Sequence, residues 1–198
     1  MWGGYVGMSS IGFLNFNLFD NAIIFEPNPN SFLLIEKNIK QNNFSDQITA
    51  FNVALSNKNS ELLMELSHKN FGDHRIRQEG PVQEGYYHEE VRKIISVDSV
   101  AFDDFIKKNP QINFKNISMV WMDIQGHEGK FLQGANNFLS SQKIPVVMEF
   151  WPYGILRSGT TKNDFLENLV KLFTHFYIVD NEFTELQNIL NVEKLFDE

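Results

Sequence analysis

The 198-residue sequence predicts an α/β protein built on a doubly wound, mostly parallel sheet. Two observations carry this. Short apolar, β-rich runs alternate with longer segments of helical spacing, the pattern of a parallel sheet covered by helices. The clearest runs, Ala22-Ile23-Ile24-Phe25 and Met119-Val120-Trp121-Met122, show no polar alternation, so both of their faces belong in a core. The length suits a single domain spanning residues 1–198, and no repeat or low-complexity tract divides it.

Along the chain, residues 9–19 can form a helix behind a glycine-rich start, and the strand at 22–25 is stopped by Pro27 and Pro29. Residues 31–42 carry Phe32, Ile35 and Ile39 at helical spacing. A second strand is expected over 48–55, with others over 61–66 and 93–97. The section between them, 67–92, is rich in Gly, His and charge and shows no periodicity. Asp98 is positioned to cap a helix over 100–108. A strand over 119–122 precedes a helix over 128–141, a strand over 146–150, a helix over 162–173 and a strand over 177–179. Residues 182–198 read as an amphipathic terminal helix covering the sheet, or as an oligomer contact.

Composition excludes several classes. The net charge of −8 disfavours nonspecific nucleic-acid binding, which depends on Lys and Arg meeting phosphates. The absence of Cys rules out disulfides and thiolate metal sites. No apolar run approaches the roughly 18 residues that span a bilayer, and the N-terminus lacks the basic region of a signal peptide. A cytoplasmic protein with no membrane or nucleic-acid partner is expected. No residue pattern sets an oligomeric state.

Parallel α/β sheets bind ligands beyond the C-terminal ends of their strands, and here those ends carry Glu26, Asp123 and Glu149. The segment Gly3-Gly4-Tyr5-Val6-Gly7 precedes a helix, where glycines let the backbone approach a ligand and free N–H groups face it. Glu26, at the end of the next strand, is suited to ribose hydroxyls. A dinucleotide fingerprint starting at Gly3 needs glycines where Tyr5 and Met8 stand. The spacing seen suits a nucleoside without a pyrophosphate, although a glycine-rich terminus can also be plain loop. In a doubly wound sheet this loop follows the central strand, so the first central strand is expected to be missing from this chain, through truncation or a mis-assigned start. Asp123-Ile124-Gln125-Gly126-His127-Glu128 sets a carboxylate at the crevice mouth with an imidazole and a second carboxylate in the turn after it. His127 is then a candidate base or simply a histidine at the helix N-terminus or surface, with His74 and Glu149 as further bases near the crevice. No metal-ligand motif is present.

That segment resembles the D-[IV]-[QE]-G-x-E motif of FkbM-type methyltransferases. Other blocks agree in order: Phe25-Glu26-Pro27-Asn28-Pro29, Asn52-Val53-Ala54-Leu55-Ser56, the N-x-G-x-x-R loop from Asn70 to Arg75, the stretch through Ser96-Val97-Asp98, and Val147-Met148-Glu149-Phe150. The resemblance covers about residues 3–155 and departs where Met1 stands in place of the loop's Asp. It implies a Rossmann-like class I methyltransferase domain, truncated at its N-terminus, that moves a methyl group from S-adenosylmethionine to a hydroxyl of a sugar, glycan or secondary metabolite. Carried over by position, Gly3, Gly7, Glu26, Asn52 and Ala54 would bind the cofactor, and Asp123 and His127 would serve the reaction. Arg75 and Glu149 would meet substrate, Arg75 as a planar clamp for an anionic group. Tyr86, Tyr87 and His88 are candidates for a lid, and Trp151 and Tyr153 for acceptor-pocket walls. Two alternatives remain open at this point: a non-catalytic remnant of such a domain, and a nucleotide-binding oxidoreductase.

Overall fold

A computed structural model describes residues 4–77, 87–179 and 185–197. The fold is mixed α/β. Helix α1 (Met8–Asn15) begins at Gly7, whose φ of 81° turns the chain into it. Strand β1 (Ala22–Phe25) pairs in parallel with β2 (Ile48–Phe51) in the register Ala22–Ile48 to Phe25–Phe51. Between them, α2 (Pro29–Gln41) starts where the proline needs no amide partner, and the Asn28 side chain accepts a hydrogen bond from the Asn30 N–H. A second parallel pair joins β7 (Val120–Met122) to β8 (Val146–Met148).

The third unit is a four-stranded sheet. Strand β3 (Ala54–Ser56) runs parallel to the long β6 (Lys93–Ala101), and β6 is antiparallel to β4 (Ser60–Leu66). Strand β5 (Arg75–Arg77) lies on the other edge of β4, also antiparallel. The expectation of a mostly parallel sheet is therefore corrected: three pairs are parallel, while β4, β5 and β6 form an antiparallel excursion. Two short strands, β9 (His175–Phe176) and β10 (Gln187–Asn188), close a further antiparallel pair, followed by 3-10 turns over Ile189–Phe196 rather than the α-helix expected there.

The remaining helices are α3 (Phe102–Lys108), α4 (Glu128–Gly134), α5 (Asn136–Gln142), α6 (Pro152–Arg157) and α7 (Lys162–Leu172). Three boundaries moved for identifiable reasons. The strand expected over 48–55 divides because Asn52 turns away to bond the Glu26 and Pro27 carbonyls. Asp98 does not cap α3, because it sits inside β6 opposite Glu61. The helix expected over 128–141 breaks at Ala135, where Gly134 lies so close to the Ser56 carbonyl that no Cβ fits. The expected strand at 177–179 is displaced to His175–Phe176.

Strand β1 shows why its sequence lacks polar alternation. Ile24 packs on one face with Ile11, Leu14, Ile35, Ile39 and Ile48. Phe25 packs on the other, in the main core with Phe102, Phe105, Phe131, Val120 and Met122. Phe102 is fully buried at the centre of that core, its ring meeting those of Phe25, Phe114 and Phe138 edge-on at 5.9, 5.7 and 5.0 Å, the arrangement aromatic quadrupoles favour.

Candidate functional site

Glu26 directly follows β1 and Asp123 directly follows β7. Both line one cavity of about 130 Å³, whose apolar walls include Phe25, Val53, Ala54, Leu55 and Ile124. The Glu26 carboxylate is 5% exposed. Its Oε2 accepts a hydrogen bond from the Tyr5 N–H at 2.8 Å and its Oε1 one from the Asn28 N–H at 2.9 Å. Burial pushes its pKa up to about 7 against the opposing pull of these two amides. Of the other predicted cofactor residues, Ala54 is a wall. Asn52 is not; its Nδ2 donates to the Glu26 and Pro27 carbonyls at 2.7 and 3.1 Å and so holds the loop carrying the carboxylate. Gly7 is also not a wall, but its N–H closes a tight turn onto the Gly4 carbonyl at 2.6 Å and aims Tyr5 at the cavity. Gly3 lies outside the described residues.

The turn after β7 is strained. Gln125 has φ 55° and Gly126 φ 95°, and a Cβ at Gly126 would strike the Gly154 backbone. In that conformation the Gln125 Nε2 donates to Asp123 Oδ1 at 2.6 Å and to Glu149 Oε2 at 3.1 Å, linking two of the strand-end carboxylates. Burial, then Asp123 and Asp73, raise the Glu149 carboxyl to about 6 against the pull of Arg75. His127 lines the inner cavity but is 4% exposed, and its Nε2 lies 3.0 Å from Ser56 Oγ. Burial, helped by Lys130, pushes it down to about 4, so it is neutral at pH 7. Glu128 is buried, accepts from the Ile124 N–H at 3.1 Å through Oε1, and has no hydrogen-bond partner for Oε2 among the described residues; burial raises it to about 8.

A second, larger chamber of about 610 Å³ adjoins the first, and Gln125 lines both. Its walls include Asp73, Arg75, Tyr87, Arg92, Glu149 and Trp151. Arg75, expected as a planar clamp for an anionic group, is 3% exposed and already engaged. Its Nη1 donates to Glu89 Oε1 at 2.7 Å and its Nε to Asp73 Oδ1 at 2.9 Å. Its guanidinium stands 4.7 Å from the Trp151 ring and 5.1 Å from the Tyr87 ring. Arg75 therefore shapes the chamber while its charge is spent on carboxylates. Trp151, Tyr153 and Tyr87 form an aromatic cluster on this side; Tyr86 lies outside the described residues. His74 falls on the inner cavity, with Nδ1 accepting from the Ser67 N–H at 3.1 Å. Sequence reasoning gave no role to Tyr5, Met64, Ile76 or Gln125, all of which line the inner cavity. Met64 and Ile76 come from the excursion, where no sequence pattern announces a site, whereas Gln125 stood within a recognised motif.

A family model described as the methyltransferase FkbM domain matches residues 7–186. The chain belongs to this family. Among solved structures, the FkbM domain here is similar to a methyltransferase FkbM from Methylobacillus flagellatus KT, with 17% identity and a TM-score of 0.50. That match covers 83% of this chain and 35% of the other, so the chain spans about a third of that protein's length. At this identity the likeness concerns the fold. No curated protein matches the chain. Among the described residues of this FkbM domain, no cluster of His, Asp and Glu is arranged to hold a metal ion, and no helix is long and apolar enough to cross a membrane.

Proposed function

We propose that this FkbM domain is an S-adenosylmethionine-dependent methyltransferase acting on a hydroxyl oxygen of a small molecule or glycan. The observation that carries the reading is that Glu26 and Asp123, from the ends of two different parallel strand pairs, line the same cavity. We read those pairs as parts of a Rossmann-like, doubly wound sheet, in which ligands sit beyond the strand ends. The donor set suits the cofactor. Glu26 is buried and locked by two backbone amides, and each of its oxygens keeps a lone pair for a ribose hydroxyl. Ala54, Val53 and Leu55 offer an apolar wall for a nucleobase, and Asp123 offers negative charge opposite a cation.

When bound, the cofactor supplies an electrophilic methyl group on a sulfonium centre. The residues of the chain bind, orient and exclude water. Glu26 fixes the nucleoside, the apolar walls pack against its base, and Asp123 favours the positively charged donor over its neutral product.

Calorimetry with S-adenosylhomocysteine tests the reading. The wild-type chain should bind it in preference to NAD. Glu26→Gln should weaken binding by roughly 10- to 100-fold, the cost of one charge-assisted hydrogen bond. A preference for NAD, or unchanged affinity in Glu26→Gln, would overturn it.

A further inference from the structure

We propose that the outer chamber is the acceptor subsite and that Glu149 is the base that takes the proton from the acceptor's hydroxyl. The assignment rests on the methyltransferase reading and adds to it the place where the acceptor lies and the group that activates it.

The two cavities divide the labour. The inner one is small and holds Glu26, whereas the outer one is several times larger and its lining includes Asp73, Arg75, Arg92, Tyr87 and Trp151. They meet at Gln125, so a methyl group held beside Asp123 and a hydroxyl presented from the outer chamber would converge there. The candidate bases at the two cavities are His127, His74, Asp123 and Glu149. His74 lines the inner cavity and not the outer one, and its Nδ1 already accepts from the Ser67 N–H. His127 is excluded by geometry, being almost fully buried with its Nε2 against Ser56. Asp123 belongs to the inner cavity, and its Oδ1 is taken by Gln125. Glu149 lines the outer chamber and not the inner one. Its Oε2 accepts the Gln125 amide, while its Oε1 accepts no hydrogen bond among the described residues.

The strained backbone at Gln125 has a use on this reading. It aims one amide at two carboxylates at once, holding Glu149 beside Asp123. Gln125 is then a positioning residue. The ionisable groups facing Glu149 are Asp123 from the end of β7, Glu128 from the start of α4, and Asp73 and Arg75 from the excursion. Asp123 and Asp73 outweigh the single guanidinium, which is itself neutralised by Asp73 and Glu89. Together with burial they keep the Glu149 carboxyl basic enough to work as a general base near neutral pH.

The step balances. A lone pair of the acceptor oxygen forms the new carbon–oxygen bond, and the carbon–sulfur bond of the donor breaks with its electron pair returning to sulfur. The hydroxyl proton passes to Glu149. The products are a methyl ether, a neutral thioether and a protonated carboxyl, which releases its proton to solvent through the chamber.

The test pairs binding with transfer. Calorimetry with S-adenosylhomocysteine should give affinities within about twofold for wild type and Glu149→Gln, since Glu149 is outside the inner cavity. Failure of the wild type to bind would defeat the methyltransferase reading itself, whereas a collapse of binding confined to Glu149→Gln would defeat only the present assignment. Radiolabelled methyl transfer from S-adenosylmethionine is then followed to glycerol, methyl glucoside and a phenol as probe alcohols, beside matched amines and thiols. The wild-type rate on an alcohol should rise with pH through about 6 and level off. Glu149→Gln should lose that limb and roughly 10²- to 10⁴-fold in rate, and Glu149→Asp should recover part of it. Retention of the rate by Glu149→Gln, an unaltered pH profile, or transfer to none of the alcohols by a chain that binds S-adenosylhomocysteine would each overturn the assignment.

Discussion

At the scale of single residues, the site is governed by burial of ionisable groups. Glu128 is buried at the start of α4 with one oxygen unpartnered among the described residues, and its carboxyl is raised from 4.5 to about 8. A carboxyl raised in the folded state contributes stability that is fully present below 4.5 and is lost as pH climbs through about 8. Glu26 adds the same sign, with its loss completed near 7. The melting temperature should therefore fall between pH 5 and 8, and Glu128→Gln should flatten that fall, gaining roughly 2–8 °C over wild type at pH 8. Thermal unfolding by circular dichroism across that range checks it; parallel curves for the two proteins would refute the account. His127 has the opposite sign. It is neutral in the fold and lowered to about 4, so its contribution is complete above about 6.5 and is lost as pH falls through about 4. Between about 4 and 6.5 this opposes the two carboxyls, so the fall of the melting temperature with rising pH should be shallower below about 6.5, and His127→Gln should steepen that part.

At the scale of elements, the decisive local features are two close approaches. Gly126 turns the chain from β7 towards α4 with a left-handed φ and touches the Gly154 backbone in α6. Gly126→Ala should cost about 2–4 kcal/mol, combining backbone strain with displacement of α6, and should weaken S-adenosylhomocysteine binding because Asp123 and Gln125 share the turn. Urea unfolding and calorimetry read both effects. The second approach is at Gly134, where the predicted long helix becomes two. The start of α5 has no cap of its own. Instead Asp103 of α3 accepts hydrogen bonds from the Asn137 and Phe138 amides, each at 2.9 Å. Asp103→Ala should cost about 0.5–2 kcal/mol, the range of an N-cap, in urea unfolding. A neighbour distant in sequence supplies this cap, so hydrophobic spacing over 128–141 could announce a helix but not its break.

At the scale of the whole molecule, the antiparallel excursion is tied to the parallel part by a buried ion network. Glu89 is fully buried and accepts from Arg75 Nη1, the Tyr153 hydroxyl and Arg157 Nε at 2.7, 3.1 and 3.0 Å. Arg92 adds the Asp73 carbonyl at 2.8 Å and lies 3.7 Å from Glu65. Such a network is weak evidence of net stability, but removing one charge from it strands the others. Glu89→Gln should lower unfolding free energy by about 3–5 kcal/mol. It should also weaken S-adenosylhomocysteine binding, since Met64, His74 and Ile76 of the excursion wall the inner cavity. A stability loss with S-adenosylhomocysteine affinity intact would show that the excursion is held in place by other contacts.

The amino-acid sequence alone determined where two strands end and which carboxylates follow them. Apolar runs without polar alternation identified β1 and β7, and the acidic residue after each marked Glu26 and Asp123, because strand identity and its terminating carboxylate are both local in the chain. Only the tertiary structure decided which residues join them. The second chamber, the burial of Arg75 among carboxylates, the linking role of Gln125 and the enclosure of His127 all depend on which segments, remote in sequence, fold against the strand ends. Local spacing reports a side chain's own periodicity, whereas exposure, charge pairing and pKa are set by neighbours that arrive through long-range packing.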